Sequence, residues 1–252
     1  MNKDSLLEPF EPQTPNEAAN IGVNVTPPEQ MTAEFRRAQS LGFPISVHAI
    51  GDRANRITLD AFEAALRETP VADHRFRVEH AQILHYQDIP RFAQLDVIPS
   101  MQGSHQSSDM YWVPARLGWS RAQGTYTWRS LLNTGVVIPN GSDFPVEATN
   151  PLISFKAFIT RQDDEGFPAG GWFPAERTTR QEALLSITLW PAYAAFMEKE
   201  SGSLTAGKYA DFVVLDQDIM TCAPENILRT GVVMTVLGGK TVYKYEAPGS
   251  AR

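Results

Sequence analysis

The sequence contains a single cysteine, no long apolar run and no cluster of basic residues. One cysteine, Cys222, excludes a disulfide within the chain and a zinc site built from several thiolates. No stretch approaches the roughly 18 consecutive apolar residues that a membrane-spanning helix needs. The 252 residues carry a net charge of -7 without a run of lysine or arginine, so the basic surface on which nucleic-acid binding depends is missing. We therefore predict neither a nucleic-acid partner nor a membrane partner.

The first residues also lack the apolar segment of a secretory signal, because Met1 to Ser5 lead into no hydrophobic stretch. We predict a cytoplasmic location and a small neutral or apolar molecule as the partner. Cys222 lies in a Thr-Cys-Ala-Pro loop, where a thiol without a catalytic role is expected. The chain is 42% hydrophobic, which is enough for a substantial core.

Short apolar runs alternate with amphipathic segments in the middle of the chain. Four runs are rich in β-branched residues and predict parallel strands buried on both faces, at 45–48, 76–81, 97–102 and 136–140. Helices are predicted around them at 32–40, 57–66, 87–95 and 128–133. Because this rhythm is typical of a (β/α) barrel, we predict an α/β fold: a partial TIM-like barrel followed by a β-rich segment.

Three regions of the chain differ in composition. Residues 1–30 carry five prolines and little periodicity, which predicts an extended segment that lies against the rest of the molecule. Residues 31–200 hold the predicted partial barrel. Residues 201–252 open with a turn-rich link and predict a strand at 210–216 and a hairpin at 232–244, without helices.

Two long connections, 103–127 and 161–177, are rich in aromatic residues. Loops of this length are usually functional, and their aromatic side chains favour lids that cover a substrate. Trp112 and Trp172 are the predicted substrate contacts. The alternative is an aromatic cluster that plugs the edge of the barrel. After the second connection, Thr178 or Thr179 with Glu182 predicts a capping box at the start of a helix.

Three potential metal ligands, His48, His80 and Asp143, stand at the ends of apolar runs. The 32 residues from His48 to His80 match one strand-plus-helix unit, and the 63 from His80 to Asp143 match two. Catalytic groups of such barrels lie where strands end, so two imidazoles and a carboxylate there predict a divalent metal, with zinc preferred. Asp143 would also pass a proton from water to a leaving amine. A single strand-end histidine is more often structural, so the prediction depends on all three.

Three further histidines have weaker assignments. His105 follows Gln102 beyond the third run and is predicted to donate a hydrogen bond to a substrate carbonyl. His74 and His85 fall in predicted loop or helix-start positions, and both are predicted to be surface residues.

The candidate ligands lie within longer motifs. These read VHAIGDRA at 47–54, RVEHAQ at 77–82, GSDFPV at 141–146 with Asn-Pro at 150–151, and GSLTAGKYAD at 202–211. Together they resemble the amidohydrolase superfamily, in particular amidohydrolase family 3 and its YtcJ-like group, which includes N-substituted formamide deformylases. The resemblance covers nearly the whole chain. It implies a metal-dependent hydrolase of carbon–nitrogen bonds other than peptide bonds.

The resemblance also implies a role for each candidate residue. His48 matches the metal ligand on the family's fifth barrel strand and His80 the ligand on the sixth. Asp143 matches the eighth-strand aspartate, which is both metal neighbour and proton shuttle. Gln102 and His105 resemble a seventh-strand substrate motif that usually reads Gln-Pro-x-His, but here Gly103 replaces the proline. That change is expected to loosen the local backbone.

One family motif has no counterpart. Family members carry His-x-His on a first strand and another ligand on a fourth strand, and no His-x-His occurs in this sequence. The chain therefore resembles the C-terminal half of a family protein, with strands 5 to 8 of the barrel and a remnant of a β-sandwich. Four strands cannot close a barrel, so we predict self-association or a complementing chain that covers the open edges.

Three functions remain open at this point. The first is a metal-dependent amidohydrolase that acts on an amide or N-substituted formamide by a metal-activated water. The second is an inactive or half-complemented fragment, because loss of the His-x-His pair lowers metal affinity. The third is a non-catalytic small-molecule binding module, which would bind its ligand without metal and after His48→Ala.

Overall fold

The computed structural model describes residues 5–246, which form two three-stranded sheets and nine α-helices. The first sheet is parallel, with strand order β1-β2-β3, and the second is antiparallel, with order β4-β5-β6. The α/β class predicted from the sequence is therefore correct. The strands are β1 Ser46–Ala49, β2 Arg77–His80, β3 Ile98–Ser100, β4 Phe212–Leu215, β5 Val232–Leu237 and β6 Lys240–Lys244.

Helices separate the strands of the parallel sheet and continue beyond it. They are α1 Pro28–Ser40, α2 Asp52–Glu68, α3 Ile89–Gln94, α4 Gly103–Asp109, α5 Val113–Ala122, α6 Trp128–Leu132, α7 Pro151–Thr160, α8 Arg180–Ser186 and α9 Leu189–Ala194. No helix among residues 5–246 is both long enough and apolar enough to cross a membrane.

The longest helix, α2, follows the pattern read from the sequence. Leu59, Phe62 and Ala65 recur at helical spacing and are fully buried. The Phe62 ring stacks on Phe35 of α1 at 4.7 Å and on Phe76 before β2 at 5.1 Å. The apolar stripe of α2 thus joins α1 to the parallel sheet.

The N-terminal segment lies against the start of α2, as the sequence predicts. Ser5 accepts a hydrogen bond from the amide of Ala54 at 3.1 Å, and it passes so close to Gly51 that a Cβ there would stand 2.0 Å from the Ser5 carbonyl oxygen. Only glycine permits that approach. The extended segment ends earlier than expected, because α1 already begins at Pro28. Proline is favoured at this first helical position because the N–H that it lacks would have no hydrogen-bond acceptor within the helix.

The fourth predicted strand is wrong as an element. Residues 136–140 run beside β3 but make only one parallel bridge, between Met101 and Asn140. The bridge consists of a bond from the Met101 amide to the Pro139 carbonyl at 2.8 Å and one from the Gly141 amide to the Met101 carbonyl at 3.1 Å. Pro139 has no N–H for a further bond to β3, and the amide of Asn140 donates to Ser186 of α8. The described sheet therefore has three strands, and this run extends it by one bridge.

The first long connection is mostly helical, and the prediction of a long loop there is wrong. Residues 103–127 contain α4 and α5, with a break inside α5 at Gly118, whose φ of 74° is left-handed. The segment 161–177 is irregular, as expected, apart from a 3-10 turn at Pro174–Glu176. The capping box is confirmed at Thr179, which accepts from the amide of Glu182.

The C-terminal strand and hairpin are confirmed, but this region also contains a 3-10 helix, Pro224–Arg229, which the sequence did not predict. Its Ile227 is fully buried and belongs to the same hydrophobic cluster as Phe155 and Leu59. Because one buried isoleucine docks the turn on the main core, periodicity gives no signal for it. The predicted boundaries at residues 30 and 200 remain predictions.

Candidate metal centre

The predicted ligands meet at the carboxyl edge of the parallel sheet. His48 lies in β1, one residue before its end, and His80 is the last residue of β2. The parallel pairing sets His48 opposite Glu79 and Ala49 opposite His80, so the two histidines are one residue apart in register at the carboxyl ends of their strands. His105 lies in the first turn of α4, directly beyond β3, and Asp143 follows the run 136–140.

Distances between the rings define the cluster. The ring centroids of His48 and His80 are 4.5 Å apart, edge to face, and those of His80 and His105 are 5.7 Å apart, nearly parallel. The Nε2 atom of His105 lies 3.7 Å from Oδ2 of Asp143. Ligand atoms of His80, His105 and Asp143 all fall within 4.8 Å of one another. His48 is outside this group of three, although its ring touches His80.

Two of these residues have left-handed backbones. The φ angle is 78° at His80 and 56° at Asp143, a region that is uncommon for residues other than glycine, although Asn, Asp and His adopt it more often than the rest. Ala81, directly after His80, is also left-handed, with a φ of 44°. Strain of this kind persists where the surrounding structure fixes the chain, and it is concentrated at functional sites.

Gln102 supports His80 directly. Its Oε1 lies 2.8 Å from Nδ1 of His80, an arrangement in which Nδ1 donates and Nε2 keeps its lone pair. Such a bond to the remote ring nitrogen typically orients metal-binding histidines. The structure thus gives Gln102 a contact within the site, while its predicted contact with substrate stays a prediction.

Gly103 explains the departure from the family motif. Its amide donates to Oδ1 of Asn140 at 2.9 Å, and a Cβ at this position would lie 2.7 Å from the Ser154 carbonyl oxygen. Proline would lose that hydrogen bond and enter the same space. Rather than loosening the backbone, as expected from sequence, glycine lets α4 begin against α7.

The electrostatics favour neutral imidazoles. Burial lowers the pKa of His80, and the neighbouring His48 lowers it further. The pKa of His105 is lowered by burial and then by His80. His105 Nε2 is buried and has no hydrogen-bond partner within residues 5–246. Two neutral imidazoles, an unpartnered ring nitrogen and a carboxylate fit a divalent metal such as zinc.

A half-buried carboxyl group beside the cluster was not predicted from the sequence. Asp109, the last residue of α4, has its pKa raised to about 6 by burial, against hydrogen bonds from Tyr126, Gln82 and Trp112. Its Oδ2 accepts from Gln82 Nε2 at 2.6 Å and from the Tyr126 hydroxyl. The only signal was spacing: Gln82 is two residues from His80, and Asp109 is four residues from His105.

The two predicted tryptophan contacts differ in exposure. Trp112 is 44% exposed, whereas Trp172 is only 7% exposed and packs against Phe173 at 4.5 Å. Arg161 is fully buried, and its guanidinium carbon lies 4.7 Å from the centre of the Trp128 ring. Trp172 therefore helps enclose Arg161 and leaves little surface for a substrate. Both substrate roles stay predictions.

Two histidines predicted at the surface are not fully exposed. His74 is buried, with Nε2 3.0 Å from the Leu95 carbonyl and Nδ1 accepting from the Phe76 amide, and burial lowers its pKa. The surface prediction for His74 is wrong because these backbone groups satisfy both ring nitrogens. His85 is half-buried, and its Nδ1 lies 3.1 Å from Nη2 of Arg56. Cys222 is half-buried as a free thiol.

The chain belongs to the amidohydrolase family, whose sequence model matches residues 5–243. Its relatives include the following three proteins. It is 37% identical to LONG AFTER FAR-RED 3 of Arabidopsis thaliana over 91% of this chain and 39% of that protein. It is 30% identical to YtcJ of Bacillus subtilis strain 168, over 95% of this chain and 44% of that one. It is also 30% identical to an N-substituted formamide deformylase of Arthrobacter pascens, over 92% of this chain and 42% of that protein.

The fold comparison agrees with the family. The chain superposes on a metal-dependent hydrolase from Pyrococcus furiosus with a TM-score of 0.72 and 29% identity, covering 87% of this chain and 42% of that one. The resemblance to the YtcJ-like group that was read from the motifs is confirmed. The chain spans about two fifths of the length of these relatives.

Proposed function

We propose that this chain is part of a metal-dependent amidohydrolase that cleaves the carbon–nitrogen bond of an amide or an N-substituted formamide. The observation that carries the proposal is the convergence of His80, His105 and Asp143 within 4.8 Å, with His48 against His80. Family membership and the deformylase among the relatives support the reaction class. When bound, a divalent ion, for which zinc is the expected identity, acidifies water and polarises the substrate carbonyl.

The residues divide the remaining chemistry between them. Asp143 is 41% exposed and can accept a proton on its carboxylate from the attacking water, then return it to the leaving nitrogen. His105, 3.7 Å from that carboxylate, can donate Nε2–H to the substrate carbonyl oxygen in its neutral tautomer. His80 and His105 are buried, whereas the Asp143 carboxylate stays open to water.

Two ligand sets share His80 and Asp143. The family resemblance supplies His48 as the third ligand, and the observed cluster supplies His105 instead. We propose His48 as the ligand and His105 as the substrate contact. His48→Ala should then lower the metal content of the purified protein, whereas His105→Ala should leave it unchanged and reduce turnover. Loss of metal in His105→Ala alone would reverse the two assignments.

We further propose that the chain corresponds to the part of the family barrel that holds strands 5 to 8, with the run 136–140 in the place of strand 8, and that it acts together with a second chain. β1 is an edge strand of the parallel sheet, and a groove of about 670 Å³ beside it is lined by His48, Val25 and Phe35. A partner strand at this edge would stand next to His48. The proposed divisions are 1–30 for the N-terminal segment, 31–200 for the barrel portion and 201–252 for the sandwich portion.

A binding module without catalysis is the second candidate. Tyr111 and Phe167, from the two aromatic connections, are 60% and 55% exposed and stack at 5.8 Å. An apolar ligand could insert beside this pair. Binding that persists in the metal-free protein and in His48→Ala would identify this function.

Elemental analysis of the protein purified in trace zinc tests the main proposal. We expect about one metal per chain, lost in the His48→Ala/His80→Ala double variant, followed by turnover in a screen of formamides and amides. His74→Ala is the matched control, because it removes a buried histidine whose ring nitrogens pair with the Leu95 carbonyl and the Phe76 amide and not with the cluster. Wild-type protein without metal would contradict the proposal.

A further inference from the structure

The short helix α4 carries His105 in its first turn and Asp109 in its last. These two residues are four positions apart, so they lie on one side of the helix. Gln102, immediately before α4, is bonded to the His80 ring. The first turn of α4 is thus already attached to the end of β2.

Asp109 attaches the last turn of α4 to the same strand end. Its Oδ2 accepts from Nε2 of Gln82, two residues beyond His80, at 2.6 Å. The same oxygen accepts from the hydroxyl of Tyr126, which is 2% exposed. The Tyr126 amide donates to the Gln82 carbonyl at 2.8 Å, and the Tyr126 carbonyl accepts from Nη1 of Arg161 at 2.7 Å. One carboxylate oxygen therefore joins three segments that are remote in sequence.

No hydrogen bond joins the rings of His80 and His105 in the described part of the chain, so their separation depends on how their backbones are held. We propose that Asp109 is a positioning residue that holds His80, the proposed metal ligand, in place against His105 by fixing α4 to the segment after β2. The inference rests on the proposed metal site. It assigns Asp109 and its donors, Gln82 and Tyr126, to that site without placing them on the metal or the substrate.

The test compares three substitutions. Asp109→Leu removes the acceptor with little change in side-chain size, and Asp109→Asn keeps an acceptor oxygen. Losing an outer contact of this kind typically weakens metal binding about 10- to 100-fold. We expect a drop of that size in zinc affinity for Asp109→Leu, measured by chelator competition, and substantial recovery in Asp109→Asn. Tyr126→Phe removes only one of the hydrogen bonds to Asp109, so it should give a smaller loss of zinc affinity. This variant also tests the proposal if Asp109→Leu does not fold.

Tyr111→Phe is the matched control. Tyr111 donates to Asp163 much as Tyr126 donates to Asp109, but between the two exposed aromatic segments. This variant should bind zinc like the wild type. The visible spectrum of the cobalt-substituted protein should change in Asp109→Leu and stay unchanged in Tyr111→Phe, because only the former alters the geometry of the ligands.

A second readout works without metal. In protein with isotope-labelled histidine, the nuclear Overhauser contact expected between the stacked His80 and His105 rings should weaken in Asp109→Leu and Tyr126→Phe. If the wild type binds no zinc, the proposed function fails while this contact still tests the positioning role. Variants that are less stable but keep both zinc affinity and the ring contact would overturn the inference, since Asp109 would then be structural only.

Discussion

At the scale of single residues, burial decides which protonation state each group prefers. His80 and His105 are shifted toward the neutral form by desolvation, the state in which an imidazole offers a lone pair. Asp109 is shifted the same way, toward its neutral acid. These shifts arise because all three side chains leave water without a fully compensating opposite charge. These three side chains therefore contribute little charge to the site before a cation binds.

The raised pKa of Asp109 predicts a pH-dependent stability. Its pKa is about 6 in the fold against 3.8 for an exposed aspartate, so between these values the folded state holds more protons than the unfolded state. The free energy of unfolding must then fall as pH rises through this window. Asp109→Asn removes the titrating group. We expect its free energy of unfolding, relative to wild type, to rise by up to about 3 kcal/mol from pH 4 to pH 7.

Urea unfolding at several pH values measures this difference, and Asp163→Asn provides the control. The pKa of Asp163 is lowered in the fold. Burial alone would raise this pKa, but hydrogen bonds to the carboxylate from the Tyr111 hydroxyl and from the amides of Phe167 and Glu165 outweigh the effect of burial. The stability difference for that variant should therefore change with the opposite sign, and at lower pH. A pH-independent difference for Asp109→Asn would show that Asp109 titrates like an exposed carboxylate.

The structure places His48, His80, His105 and Asp143 close together at the carboxyl end of the parallel sheet, and their roles stay predictions. The predictions from sequence missed Asp109, Gln82 and Tyr126, whose contact is a hydrogen bond between segments 17 and 27 residues apart. Spacing along a strand or helix carries no information about such a bond. It depends on how α4 packs, and α4 itself was not predicted.

At the scale of elements, the sequence pattern predicted α1, α2, α3, α6 and the first three strands, but it did not predict α4, α5 or α7. α2 repeats its apolar stripe over 17 residues, whereas α4 has seven residues, three of them serine, and no apolar side chain. The run 136–140 has the composition of a strand, yet Pro139 removes a donor and Asn140 bonds elsewhere. Backbone hydrogen bonding, rather than composition, decided that case.

The capping box of α8 gives a prediction at this scale. The Thr179 hydroxyl accepts from the Glu182 amide, and the Glu182 carboxylate accepts from the Thr179 amide at 2.7 Å. Thr179→Ala removes an acceptor for an otherwise unpaired donor at the helix start. We expect a loss of about 0.5–2 kcal/mol in the free energy of unfolding, measured by urea denaturation.

Thr32→Ala is the matched control for the cap. Thr32 lies within α1, where its hydroxyl bonds back to the Pro28 carbonyl at 3.1 Å and caps nothing. Alanine has the higher helix propensity, so this variant should be as stable as the wild type or slightly more stable. Equal losses in both variants would mean that the capping box contributes nothing specific.

At the scale of the whole molecule, the two sheets leave different surfaces exposed. The parallel sheet ends at β1, whose outer edge has no strand beside it in the described chain. The antiparallel sheet exposes one face: Val213, Thr235 and Tyr243 stand in register across its three strands, and Val213 and Tyr243 are 50% and 47% exposed. All five residues of β6 are exposed. Exposed apolar sheet surface of this kind normally marks an interface.

This surface predicts that the chain self-associates or binds a complementing chain. Two lysines placed on the exposed face, in Val213→Lys/Tyr243→Lys, would put charges where apolar contact is expected. We expect concentration-dependent association of the wild type in sedimentation velocity and a shift toward monomer in the variant. Leu41→Lys/Tyr86→Lys is the matched control, since these residues are 61% and 72% exposed but lie outside both the antiparallel sheet and the groove beside β1. A compact wild-type monomer that unfolds cooperatively at every concentration would refute self-association, because a stable monomer needs no cover for this face.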